Sequence, residues 1–229
     1  VRWFWGVERP DLYEILLRST DPEEIIPAAI RESCPWAGRV ALDIGCGRGD
    51  FAASIAEEAG SVVAVDAAPS MVAAARRNMV GRSGRFAAIT ANVENLPFAD
   101  GSFDVAYALW AYFFGAGAEP GLFECERVLR RGGRLCVVQN NGGDGLSGLW
   151  SESEFRCLEW PEWFEQRGFS RRIVDTVWRF PSLDQGTALV RYLWGEGAVR
   201  RLLRSGTLTF SFKVSLYCRE VGGGTPDSC

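Results

Sequence analysis

The sequence predicts an α/β fold, a doubly wound and mostly parallel sheet with helices on both faces. Three observations predict it. Short apolar runs alternate with helical segments of about three turns, the pattern of a parallel sheet covered on both sides. The first of these runs passes straight into a glycine-rich turn, "VALDIGCGRGDF" over residues 40–51. The chain has 229 residues, of which 47% are hydrophobic and 24% charged, so it is long enough to bury a substantial core.

Taken in order, the signals are these. Residues 11–19 and 22–34 are helical and precede the alternating unit. The aromatic lead Trp3, Phe4 and Trp5 either packs on the domain or covers a pocket. "RVALDIG" reads as the first strand, and "DFAASIAEEAG" as a helix ended by Gly60. "SVVAVD" is the second strand; Pro69 and Ser70 open the helix "PSMVAAARRNM". Residues 85–91 and 103–111 give strands three and four. A helix over 120–131 leads to strand five at 133–139. "NNGGDGLSG", residues 140–148, is loose and glycine-rich and is expected to order or close over substrate. Residues 154–169 read as a helix, 170–180 as a strand, and 182–195 and 196–206 as two helices. "TLTFSFKVSLYCRE" alternates with period two and closes the sheet. With no internal repeat and no low-complexity linker, 1–220 reads as one domain: a helical cap at 1–37, a cofactor-binding core at 38–139, and a substrate-side, sheet-closing part at 140–220. Residues 221–229 read as a disordered tail.

Composition removes several function classes. The formal net charge is −4, whereas a nucleic-acid binder is more often basic, so a small-molecule partner is expected and not a nucleic acid. No apolar run approaches the ~20 residues needed to cross a bilayer, and the opening segment is too short and too broken for a signal peptide. A cytoplasmic monomer or homodimer with no membrane partner is the expectation. There is no histidine, and Lys213 is the only lysine; the commonest general base and metal ligand are therefore missing. The seven cysteines are scattered and never spaced as C-x-x-C, which reads as reduced thiols packed as small apolar groups and not as a metal site. The arginines at 127, 130, 131 and 134 read as a solvated helix end, cations on the negative end of the dipole.

Glycine costs backbone entropy, so Gly45, Gly47 and Gly49 need a reason. Between a strand and a helix they let the backbone approach a ligand closely. A dinucleotide turn is spaced G-x-G-x-x-G; here the spacing is G-x-G-x-G, with Asp43 before it and Asp50 after it. Carboxylates beside the turn repel a pyrophosphate and suit a cationic or zwitterionic ligand. Asp66 ends strand two at the carboxyl edge of the sheet, where such folds bind ligands, and a carboxylate there suits the two hydroxyls of a ribose.

In these stretches the chain resembles the class I S-adenosylmethionine-dependent methyltransferases. "ALDIGCGRGDFA" is similar to the family's first motif and "VVAVDAAPSMVAAARRN" to its second strand and helix. "ANVENLPFADGSFDVAYA" is similar to its adenine loop and fourth strand, and "RVLRRGGRLCVV" to its fifth-strand motif. The resemblance covers about residues 38–139 and implies a Rossmann-like, seven-stranded sheet whose last strand is antiparallel. It implies S-adenosyl-L-methionine as cofactor and S-adenosyl-L-homocysteine as product. By the resemblance, Gly45, Gly47 and Gly49 lie under the cofactor and Asp43 orients its methionine end. Asp66 and the following Ala67 take the ribose, with Met71 near the adenine or ribose. Asn92 and Val93 hold the adenine, although the family usually has Asp where this chain has Asn92. Ala108 and Leu109 border the methionine portion.

Where relatives often carry paired histidines, this chain has Phe113 and Phe114. With Trp110, Tyr112 and Asn140 they are candidates to wall an apolar or aromatic acceptor. Tyr112, Asp144 and Glu152 are the candidate general bases, if one is used. The rivals are an NAD(P)-dependent oxidoreductase, which the glycine spacing disfavours, and a non-catalytic module that binds S-adenosylmethionine.

Overall fold

The structure, a computed structural model, describes residues 9–111, 115, 117–150 and 161–222. Helices α1 (Pro10–Ser19) and α2 (Ile25–Ser33) come first. The alternating unit follows: β1 (Val40–Ile44), α3 (Asp50–Ile55), β2 (Ser61–Asp66), α4 (Pro69–Asn78), β3 (Phe86–Thr90), β4 (Phe103–Leu109), α5 (Glu119–Val128) and β5 (Leu129–Asn140). A 3-10 turn (Leu146–Leu149) precedes α6 (Pro161–Glu165), β6 (Ser170–Arg179), α7 (Leu183–Ser205) and β7 (Thr209–Glu220).

Local chemistry sets the helix ends. Pro10 and Pro69 sit in the first turns of α1 and α4, where a missing N–H costs nothing. The Asp21 carboxylate accepts the N–H groups of Ile25 and Ile26 at 3.1 and 2.8 Å, satisfying donors at the start of α2. Ser182 caps α7 by accepting from the Gln185 N–H at 3.2 Å, and Gly206 closes that helix in the left-handed conformation.

Among the described residues, seven strands form one sheet in the order β3-β2-β1-β4-β5-β7-β6. β1 pairs in parallel with β2 and β4, β2 with β3, and β4 with β5. β7 runs the other way beside β5: Asn141 N–H donates to Lys213 O, and Val221 N–H donates to Gly133 O, so one strand ascends in number as the other descends. β1 and β4 are buried along nearly their whole length, as central parallel strands covered on both faces must be.

The chain forms two compact units. One draws on Val1–Ala29, Asn140–Glu159 and Ile173–Ser215, the other on Ile30–Gln139, Trp160–Arg172 and Leu216–Cys229. The core of the second unit includes Leu42, Ile44, Val65, Phe103, Val137 and Phe164, with the Phe164 ring stacked on Tyr217 at 3.9 Å between centroids. Tyr107 lies in that unit with its hydroxyl donating to the Cys34 carbonyl at 2.7 Å. The first unit gathers aromatic rings around Trp178, which meets Phe180, Trp194 and Phe212.

Several boundaries differ from those the sequence predicts. The helix expected over 120–131 ends at Val128, because Leu129 already pairs with Phe103 and a register shift follows before Val105 meets Arg134. Of the arginines there, Arg131 is exposed, as a solvated helix end implies, whereas the other three are ion-paired. Arg127 pairs with Glu124 and Asp100, Arg130 with Asp104, and Arg134 with Glu220. The helix expected over 50–60 stops at Ile55, and Ala59 instead bridges to Ala37. The two helices expected over 182–195 and 196–206 do part at Gly195, as the sequence predicts: its φ of 75° and ψ of −174° break the helical path within α7.

The loop at 140–148 is less loose than its glycines imply. Asp144 accepts the Ser147 N–H at 2.7 Å and the Lys213 N–H at 2.8 Å, and Gly145 N–H donates to the Ser211 hydroxyl at 2.8 Å. The aromatic lead, Tyr112, Phe113, Phe114, Glu152, the first part of the helix expected over 154–169, and the tail after 222 lie outside the described residues. No helix among the described residues is long and apolar enough to cross a membrane. The described cysteines, Cys34, Cys46, Cys125, Cys136 and Cys218, are free thiols.

Candidate functional site

The site is built on the turn between β1 and α3, in the second unit. Gly45, Gly47 and Gly49 have φ of 64°, 54° and 74°, a region that side-chain-bearing residues rarely enter. A Cβ on Gly45 would overlap that of Ala111, and one on Gly49 would stand 2.9 Å from that of Ala75. Close approach therefore adds to the conformational demand for glycine at both positions. Cys46 N–H donates to Val65 O at 3.0 Å, tying the turn to the end of β2.

Asp66 organises the same region. One carboxylate oxygen accepts the Gly47 N–H at 3.0 Å, and the other accepts the Ala68 N–H at 2.8 Å. Each oxygen keeps a further lone pair. The acid thus holds the glycine turn and the entry to α4 while presenting acceptors of its own. Ala67, beside it, is exposed, and Met71, in α4, is 6% exposed and packed in the interior.

Asp43 is 3% exposed, and its Oδ2 is buried with no hydrogen-bond partner. Burial pushes its pKa up to about 8; the Ala52 N–H opposes the rise, and Asp66 and Asp50 add to it. An unpaired buried carboxylate oxygen is costly, and here it belongs to a group of three acids, with Asp50 and Asp66, around a turn with glycine at three alternate positions. The cluster fits a ligand with a cationic or N–H-bearing end, and it repels a pyrophosphate.

Asn92 is exposed, and its Oδ1 accepts the Glu94 N–H at 3.1 Å, so its amide shapes the turn that carries Val93. Val93 is 8% exposed. The following stretch is clamped by Glu124, not singled out from the sequence, and by Arg127, which the sequence places at a solvated helix end. Glu124 accepts the Leu96 N–H at 2.7 Å. Arg127 donates to Leu96 O at 3.0 Å and to Phe98 O at 2.7 Å. The Arg127 guanidinium holds the Glu124 carboxyl well below its usual range. The signal was available: an acid and an arginine three apart on a helix face are neighbours.

At the end of β4, Ala108 is fully buried, and Leu109 and Trp110 are partly buried. Trp110 has a φ of 50°, strained for an aromatic residue, and is held there by its N–H donating to Val138 O at 2.9 Å.

All the expected cofactor residues thus fall in the second unit. Asn140 and Asp144 fall in the first, and both Asp144 oxygens already accept backbone N–H groups. No group of three or more acids or cysteines among the described residues could hold a metal ion.

Residues 42–137 match the family described as "Methyltransferase domain". Over that segment the chain is similar to methyltransferase domains. Among curated relatives, a demethylmenaquinone methyltransferase of Thermus thermophilus is 39% identical over 100 residues, 43% of this chain and 46% of that protein. A ubiquinone/menaquinone biosynthesis C-methyltransferase of Haemophilus ducreyi is 36% identical over 128 residues, 53% of this chain and 49% of that protein. The chain spans about half the length of the curated relatives it matches. Among solved structures, a possible histamine N-methyltransferase of Thermotoga maritima superposes with a TM-score of 0.60 at 18% identity, covering 96% of this chain and 98% of that one. A putative methyltransferase of Bacillus halodurans gives a TM-score of 0.59 at 18% identity, covering 86% and 98%. The methyltransferase domain's matched segment runs from β1 into β5, so it contains the glycine turn, Asp66 and the 92–100 loop together.

Proposed function

We propose that the chain is an S-adenosyl-L-methionine-dependent methyltransferase that acts on a small-molecule acceptor at O, N or C and releases S-adenosyl-L-homocysteine. The observation that carries this reading is the buried, unpaired Asp43 oxygen beside a turn with glycine at three alternate positions, whose Gly47 N–H is held by Asp66. Asp43 would take the ammonium end of the cofactor and Asp66 its ribose hydroxyls. Gly45, Gly47 and Gly49 would let the backbone lie against it. The Asn92–Val93 turn, which leads into the stretch clamped by Glu124 and Arg127, would face the adenine, with Val93 supplying its backbone N–H.

When bound, the cofactor supplies a sulfonium methyl, an electrophile open to in-line attack. The protein's part is positioning, which by itself lowers barriers strongly. Leu109 and Trp110 would set the acceptor beside the methyl; Tyr112, Phe113, Phe114 and Asn140 stay candidates for acceptor contacts on the sequence alone. Tyr112 and Glu152 stay candidates for a base. Asp144 could serve as a base only by giving up its hold on the Ser147 and Lys213 N–H groups. The relatives named for demethylmenaquinone make that compound the first acceptor to assay.

The test is calorimetry and thermal unfolding with S-adenosylmethionine and with NAD. S-Adenosylmethionine should stabilise the chain by about 2.7 kcal/mol at roughly a hundredfold its dissociation constant, and NAD should not. Stabilisation by NAD alone would overturn the assignment. Binding of S-adenosylmethionine with no methyl transferred to demethylmenaquinone or to any extract component would favour the non-catalytic module.

A further inference from the structure

Two cysteines in the second unit face each other across neighbouring strands. The Asn141–Lys213 and Gly133–Val221 hydrogen bonds lie equally many residues apart on β5 and β7, and this register puts Cys136 directly opposite Cys218. In an antiparallel pair the hydrogen-bonded positions alternate with unbonded ones. The two observed bonds fall at odd-numbered positions of β5, so Cys136 and Cys218 form an unbonded pair. Such pairs have Cα atoms about 4.5 Å apart, inside the span of about 4.4–6.8 Å that a disulfide bridges. Each thiol shifts the other's ionisation, as close neighbours do.

Their surroundings differ in a useful way. Cys136 is fully buried, whereas Cys218 is partly exposed. The neighbouring Cys136 thiol and the nearby Arg134 and Arg172 guanidinium groups lower the pKa of Cys218, against the effect of its burial. Burial raises that of Cys136. One thiol is thus accessible and inclined to ionise, and its partner is protected.

We propose that Cys136 and Cys218 are a redox-modification site at which hydrogen peroxide joins them in a cross-strand disulfide. The Cys218 thiolate attacks a peroxide oxygen, the O–O bond breaks, and the departing hydroxide takes up a proton to leave as water. Cys218 is then a sulfenic acid. The Cys136 sulfur attacks the Cys218 sulfur, the S–O bond breaks, and the hydroxyl leaves as water with the proton of Cys136. Two thiols are oxidised and one peroxide is reduced to two waters.

The experiment is peroxide treatment of the folded chain, an alkylating quench under denaturing conditions, and peptide mass spectrometry. The expected product is a peptide pair joining Cys136 to Cys218 and lighter by two hydrogens. Alkylation should be lost at both positions and restored by dithiothreitol. Cys218→Ser should leave Cys136 a free thiol after treatment. Cys136→Ser, or Cys136→Ala if the serine variant does not fold, should leave a sulfenic acid at Cys218 that dimedone captures. Joining of Cys218 to Cys34, Cys157 or Cys229 in the parent chain would overturn the proposal. So would continued alkylation of both thiols while other cysteines are oxidised.

Discussion

Asp66→Ala is expected to weaken S-adenosylmethionine binding by two orders of magnitude or more. Two losses combine. The ribose hydroxyls lose a charged acceptor, at about 1.5–3 kcal/mol for each hydrogen bond and with no requirement that the two add. The Gly47 and Ala68 N–H groups, now held at 3.0 and 2.8 Å, lose their acceptor as well, so the turn loosens against β2. Asp66→Asn separates the effects, since an amide oxygen can still accept one N–H. It should retain the unfolding temperature of the parent more closely than Asp66→Ala while still binding the cofactor poorly. Calorimetry on the two variants reads this out, and parental affinity in Asp66→Ala would remove the acid from the site.

The second large effect is on pH dependence. The Asp43 carboxyl has its pKa raised from the usual 3.8 to about 8 by burial, so between those values the folded chain keeps a proton that the unfolded chain has released. Stability from this group therefore falls as pH rises across the window and levels off above it. Accepting from an ammonium requires the ionised form, so cofactor binding must expel the proton. Affinity should climb with pH by about tenfold per unit at most and stop climbing near pH 8. Calorimetry in two buffers of different ionisation enthalpy should report proton release below that point. Asp43→Asn should bind weakly and show neither slope nor release; a parent with no release would show that Asp43 is not titrating there. The cofactor-saturated rate should behave differently. With no histidine in the chain, it should stay nearly flat from pH 5 to 8 with an acceptor that does not ionise.

The alternating strands and helices, the glycine turn and Asp66 were legible because each is a local signal. An apolar run followed by G-x-G-x-G and an acid closing the next strand can be read without knowing what packs where. The sequence also resembled a known family over the same stretch that the methyltransferase domain covers. What it did not disclose depends on distant pairings. Leu129 looks helical until Phe103 is seen opposite it. The glycines of 140–148 suggest a mobile cover until Asp144 is seen capping both Ser147 and Lys213. Asp43 reads as an ordinary ionised acid, because burial, which raises its pKa, is a property of the folded molecule. The facing of Cys136 and Cys218 likewise requires the register of two strands separated by most of the second half of the chain.

Trp110 carries a consequence for how this sequence changes under selection. A left-handed backbone at a residue with a side chain costs roughly 1–2 kcal/mol relative to glycine, and Trp110 bears that at a φ of 50°. A population screened for heat resistance alone should accumulate Trp110→Gly, which relieves the strain, and those survivors should transfer methyl groups poorly. A population screened for turnover should keep the tryptophan and collect its stabilising changes elsewhere. Sequencing both populations would show whether the strained residue is retained for chemistry or merely tolerated by the fold.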